Sequence, residues 1–293
     1  MITKEFKTID EQIEILQSRG LTIDNLEQAK IFLQQNNYYR ISGYSLTLRK
    51  DDIFSPKATF QNIIDIYQFD QEFRHIILKH IETIEVQIKS IYAYEFSKIY
   101  GPLGYLNPEY FTNPKKHQEI MDKANLQKQH RLAHEAYLKH FITDLHQEIP
   151  LWAFVDLLTI SDISFLYSIS KTPIKETIAQ HFDLFMNRGP EILGQFMHSM
   201  TIIRNLCAHG SRIYNRLFEQ KPSLNKKEQA LLRFNDNGTM DNAHFFGFFL
   251  IMKRLLPSDN YISLKNEVLE LSKKYPFVRL NYYGFPKEWN SKI

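Results

Sequence analysis

The chain has 293 residues, 43% of them hydrophobic, enough to bury a sizeable core in one large domain or two small ones. Its 36 Lys+Arg against 33 Asp+Glu leave a net charge of only +3, so any nucleic-acid footprint must come from local clustering. A single cysteine excludes an internal disulfide and a zinc-knuckle spacing, and fits a reducing cytoplasm.

The N-terminus is charged and lacks an apolar stretch, so no signal peptide is expected. The longest apolar runs are 245–252, which stops at Lys253-Arg254, and 151–160, which carries Asp156; neither suits a membrane span. A soluble, cytoplasmic protein with no membrane partner is expected.

Breakers are scarce, with ten Gly and eleven Pro, and helical patterns dominate. Ile9, Ile13 and Leu16 mark a first helix that Gly20 stops, and Asp24 is expected to cap a second one carrying Leu26, Ala29, Ile31 and Leu33. The run from Asn37 through Tyr38, Tyr39, Arg40, Ile41, Ser42 and Gly43 to Tyr44 is either a packed aromatic corner or a stacking and phosphate-binding surface centred on Arg40.

Residues 60–100 contain neither Gly nor Pro, and their apolar positions are three and four apart throughout. This predicts one long helix or two nearly collinear ones, supported by the i,i+4 pairs Asp70–Arg74 and Glu85–Lys89. Glu82 and Glu85, one turn apart, could hold a metal or share a proton. With Lys79 and Lys89 one turn away, a solvated ion-pair ladder is expected instead. Arg74 and His80 form an R-x5-H pair, but they lie roughly 240° apart at mid-helix and are not expected to build a site.

A loop with aromatic anchors is expected at 101–114, followed by a polar helix over 115–146 with His117, His130, His134, His140 and His146 on a wet face. His130 and His134 have zinc-like i,i+4 spacing, yet Arg131 between them opposes a cation, and no metal or other cofactor is expected. An apolar helix at 149–158, a turn at 159–164, further core at 163–170, a helix opening at Thr172-Pro173 and a helix at 191–208 follow. The polar stretch 221–237, with Lys221, Lys226, Lys227 and Arg233, is either solvated surface or an RNA contact. Helices at 243–256 and 264–274 complete the chain. Every predicted element is helical, so the fold class is all-α, divided into an N-terminal segment 1–59, a core 60–256 and a C-terminal helix and tail 257–293 within one compact unit.

Residues 203–216 concentrate the chemistry. Gly210 suits the position just past a helix, which puts His209 at the helix end, where the macrodipole favours a protonated imidazole. Such a histidine suits general acid–base work. Arg204, five residues earlier, is a permanent cation with a planar fork for phosphate oxygens. Arg212 and Arg216 add charge along the exit, and Tyr214 and Asn215 between them can contact sugar or base. This set fits metal-free RNA cleavage: the 2′-hydroxyl attacks the adjacent phosphate, the histidine moves a proton and the arginine stabilises charge on phosphoryl oxygens, leaving a 2′,3′-cyclic phosphate. One histidine cannot readily serve as both base and acid, so one motif per chain predicts a homodimer with two copies across a shared cleft. The same basic residues could instead bind a carboxylate-rich partner or cap carbonyls.

The pattern R-N-x-C-A-H-x-x-R-x-x-N-R over 204–216 resembles the signature of the Abi-like abortive-infection proteins, a branch of the HEPN ribonuclease superfamily. Further blocks are similar in order: L-x-x-R-G-L from Leu16, N-Y-Y-R-I-S-G-Y from Asn37, Y-x-F-D-x-x-F-R from Tyr67, I-E-x-I-E-V from Ile81, P-x-W from Pro150 and G-F-P-x-x-W from Gly284. Directly after the histidine, where relatives often carry His or another bulky polar residue, this chain has Gly210-Ser211. The resemblance implies a HEPN-type helical bundle with extra helices at each end. It also implies that Arg204 and His209 are the ribonuclease pair and that Asn205 is the polar residue beside the arginine. The expected role is anti-phage abortive infection or that of a toxin acting on RNA, held in check by a small-RNA or protein antitoxin. HEPN folds also serve as binding domains, so a non-catalytic RNA-binding or phage-sensing module using the same basic cleft is the second expectation.

Overall fold

The computed structural model describes residues 5–185, 187–235 and 238–293; positions 236 and 237 of the expected basic segment lie outside the described residues, as do positions 1–4 of the N-terminus. The fold is all-α, and its helix starts are written in capping side chains. Ile9–Ser18 (α1) follows Thr8, whose hydroxyl accepts from the Glu11 N–H while the Glu11 carboxylate accepts from the Thr8 N–H. Leu26–Asn36 (α2) is capped by Asn25, one residue beyond the expected Asp24, and Tyr38–Ser42 (α3) is a single turn. One small departure from an entirely helical chain follows: Arg49–Lys50 (β1) pairs antiparallel with Ile53–Phe54 (β2). Asp51 and Asp52 at the turn both have positive φ, the backbone that a two-residue hairpin requires and that Asp tolerates.

Phe60–Tyr100 (α4) is one unbroken helix, opened by a Thr59–Asn62 capping box and closed at Gly101, φ +76°. Its buried stripe includes Ile63, Phe73, Ile77, Ile81, Ile84 and Ile88. Pro114–Arg131 (α5) stops at Arg131, short of the expected 146; Ala136–Lys139 (α6) and a wide turn over His140–Asp144 replace the rest. The expected wet face also needs correcting. His117 is buried, with Nε2 2.8 Å from the Tyr105 carbonyl and its ring 4.4 Å from Phe111, whereas His130, His134, His140 and His146 are exposed.

Leu151–Phe154 (α7) and a 3-10 turn at Val155–Leu157 stand in place of the expected helix at 149–158, because Thr159 then caps a fresh helix, Ile160–Ile169 (α8). Thr172–Gln180 (α9) and Gly189–Ala208 (α10) follow, each with proline in its first turn. Lys226–Gln229 (α11), Phe246–Leu255 (α12), Ser258–Lys274 (α13) and Trp289–Lys292 (α14) complete the α-helices among the described residues. No described helix is long and apolar enough to cross a membrane.

A single buried cluster runs from Ile13 to Trp289. Within it α10 packs against α4, α8, α9 and α12, turning Leu193, Met197, Met200, Ile203 and Cys207 inward. The helix α13 lies along α4, and their ion pairs revise the expected ladder: Lys79 and His80 both reach Glu267, at 2.9 and 3.0 Å. Burial pushes the His80 imidazole below its ordinary pKa despite that carboxylate, so His80 is an interhelical contact. Glu85 does pair with Lys89, at 2.8 Å, but both are largely covered.

Candidate functional site

The C-terminus of α10 ends as a glycine-terminated helix should. His209 is the cap residue, and Gly210 follows at φ +64°. The Gly210 N–H donates to the Cys207 carbonyl at 3.1 Å and the Ser211 N–H to Leu206 at 2.9 Å, the paired bonds of a Schellman ending. The left-handed φ explains why this chain has glycine after the histidine: a bulkier residue there would be strained.

Groups distant in sequence hold the chain beyond Gly210. Arg40, on α3, donates from Nη2 to the Gly210 carbonyl at 2.6 Å and from Nε to the Tyr67 hydroxyl at 3.3 Å. Gly43 lets α3 approach closely, since a β-carbon there would stand 3.2 Å from Arg212 Nε. Asp70, fully buried on α4, gathers five donors: the backbone N–H groups of Ile213 and Tyr214, the hydroxyls of Tyr44 and Tyr283, and the Arg74 guanidinium. Burial and the adjacent carboxylate drive the Tyr283 hydroxyl well above its ordinary pKa, so it stays a donor. The Asn215 N–H donates to the Tyr282 carbonyl at 3.0 Å, tying the loop to the C-terminal tail.

The arrangement sorts the expected site residues. Arg204 is half-buried, with Nη1 3.3 Å from the Asn205 amide oxygen, and lines a cavity of about 1030 Å³. His209 is exposed and has no side-chain hydrogen bond among the described residues, and Asn205 is exposed beside them. Arg212 instead folds back on the Tyr214 and Asn215 carbonyls, and Arg216 sits 3.5 Å from the Arg212 carbonyl with its guanidinium 5.9 Å from the Phe218 ring. Tyr214 does not present itself to a sugar or base: it is 2% exposed, its hydroxyl 2.6 Å from Thr47 Oγ1 and its ring among Tyr44, Tyr282 and Tyr283. Asn215 is half-buried at φ +49°, a turn position. Burial raises the Cys207 thiol to about 12, which removes it as a nucleophile at neutral pH.

The cavity is a groove between α4 and the α7 turn. Arg204 forms part of its lining, with Glu82, Glu85, Lys89, Tyr94 and Lys98 from α4 and Trp152 and Asp156 opposite. Glu82 therefore faces the same space as Arg204, not a lysine ladder.

The importance of Asp70 and Arg74 was not evident from the sequence, where they counted only as an i,i+4 pair supporting the helix. A signal was available: Asp70 falls on the apolar stripe, three residues from Tyr67 and Phe73 and four from Ile66. A carboxylate there must be buried and must find donors.

Compared with family models, residues 31–215 match the one described as Abi-like protein. Comparison with curated proteins and with solved structures finds no match in either. The matched span contains Arg40, Asp70, Arg204 and His209; Tyr282 and Tyr283, which close the loop, lie beyond it.

Proposed function

Since the chain belongs to the Abi-like protein family, whose membership supports a role in abortive infection, we propose that it is a metal-independent endoribonuclease of the HEPN type. The observation that carries this reading is the division of labour around residues 203–216. Arg40, Arg212 and Arg216 are spent on the loop, whereas Arg204 lines a large groove and His209 stands exposed at the end of the same helix. A fixed cation and a free imidazole at one helix end suit attack by a 2′-hydroxyl on its phosphate: Arg204 stabilises the phosphoryl oxygens, His209 transfers a proton, and a 2′,3′-cyclic phosphate is left.

The two side chains leave the helix roughly 140° apart, which favours a site completed by a second copy, one histidine acting as base and the other as acid. The RNA substrate is cellular or phage RNA, and a small-RNA or protein antitoxin restrains the activity. Purified protein should cleave RNA in EDTA. Arg204→Ala and His209→Ala should each slow cleavage by roughly 10²-fold or more, with the wild type scattering light as a dimer. RNA retarded in a gel yet left intact would replace this reading with an RNA-binding or phage-sensing module. A requirement for Mg²⁺ would end the metal-free mechanism, and an active monomer would end the composite site.

A further inference from the structure

We infer that the end of the groove at Tyr94 and Trp152 is a nucleobase subsite that prefers guanine. The inference takes its substrate class, RNA, from the ribonuclease reading; its own support is the groove's lining. Tyr94 on α4 and Trp152 on α7 are 65% and 57% exposed and line the same cavity. The second tryptophan, Trp289, is 6% exposed and belongs to the core. Exposed aromatic faces within one cavity offer a base the stacking surface on which single-stranded RNA recognition relies.

Charge decides which base. Lys98 brings a cation to this end of the groove for a flanking phosphate, its ammonium 3.9 Å from the Glu95 carboxylate and 6.0 Å from the Tyr94 ring centroid. Asp156, four residues beyond Trp152, is exposed in the same lining and its carboxylate has no ion-pair partner among the described residues, whereas Glu85 is neutralised by Lys89 and Glu82 lies roughly 18 Å along α4 from Tyr94. Free carboxylates repel phosphate but accept N–H donors. Guanine presents two parallel donors, N1–H and the N2 amino group, which match the two oxygens of one carboxylate. Adenine and cytosine present an amino group beside an acceptor nitrogen, and uracil one N–H between two carbonyls that a carboxylate repels. A cavity of about 1030 Å³ has room for a nucleotide.

The test reads binding, not turnover. Trp152 fluorescence is titrated with guanosine 3′-monophosphate and with its adenosine, cytidine and uridine counterparts. Guanosine monophosphate should quench saturably and bind roughly tenfold more tightly than the uridine nucleotide, a response absent in Trp152→Phe. Tyr94→Ala should weaken all four by roughly tenfold, and Asp156→Asn should erase the guanine preference while leaving uridine binding within about twofold. Equal affinities, or emission that no nucleotide alters, would overturn the proposal. So would a dimer that becomes monomeric on Trp152→Ala without any nucleotide response, which would make the groove a contact between copies. Guanine binding by a protein that leaves RNA intact would sink the nuclease reading and keep the subsite. Cleavage indifferent to guanine, with no quenching, would do the reverse.

Discussion

Asp241 is 1% exposed and receives the Arg233 guanidinium at 2.7 Å and the His244 imidazole at 2.8 Å. Burial by itself would raise this carboxyl, but the His244 and Arg233 contacts outweigh it and hold the group at about 2. A carboxyl depressed on folding stabilises the fold fully above its unfolded value, near 3.9, and loses that contribution as pH falls through the folded value. The stability of the wild type should therefore drop by about 2.5 kcal/mol between roughly pH 5 and pH 1 from this group alone. Denaturant melts should show that component missing in Asp241→Asn, which should be the less stable protein at pH 7; a pH slope shared by both would discount Asp241. Asp70 has the same logic in a denser setting. Its partners at Ile213 and Tyr283 lie 143 and 213 residues away, so nothing in its neighbourhood names them, though its place on an apolar stripe shows that it is buried. The exposure of His209 and the burial of Tyr214, a few residues apart, likewise depend on which distant segments cover the loop.

Local signals account for what could be read of the elements. The helix α4 matches residues 60–100 because its apolar spacing never lapses and because glycine stands immediately after it. Its polar neighbour α5 has little apolar periodicity to mark an end, and the expected continuation past Arg131 ran through residues that form only a short helix and a wide turn. The hairpin β1–β2 is two residues per strand, too short for alternation to register, although its paired aspartates carry the turn signal. Between elements, the contact of α3 with the end of α10 rests on the Arg40–Gly210 bond. Arg40 is exposed, so Arg40→Ala should cost only about 1 kcal/mol overall. Its effect should be local: hydrogen exchange should quicken at the amides of Ser211 and Ile213, while those in the middle of α4 keep their protection. Unchanged exchange at both positions would show that Asp70 holds the loop unaided.

At the scale of the molecule, three separated segments meet at one loop: Arg40 and Tyr44 near the start, Asp70 and Arg74 on the long helix, and Tyr282 and Tyr283 near the end. The sequence of residues 204–216 shows where the basic residues lie. It does not show that Arg212 and Arg216 brace the loop while Arg204 lines the groove, because that division follows from packing against the other segments. Tyr283→Phe should measure how tightly the tail is coupled to the loop. It removes one buried hydrogen bond to Asp70 and should lower stability by about 1 kcal/mol, with faster exchange at Tyr214; a melting temperature equal to wild type would mean that the remaining donors suffice.

The tail's hold on the loop also orders events in time. During synthesis the segment bearing Arg204 and His209 leaves the ribosome well before residues 282 and 283, which supply the Tyr282 carbonyl and the Tyr283 hydroxyl. Until those two residues emerge, Asp70 lacks one donor and Asn215 lacks its acceptor. The chain thus carries an unfinished loop while it is still attached to its own message, and completes it only after Tyr282 and Tyr283 have been made.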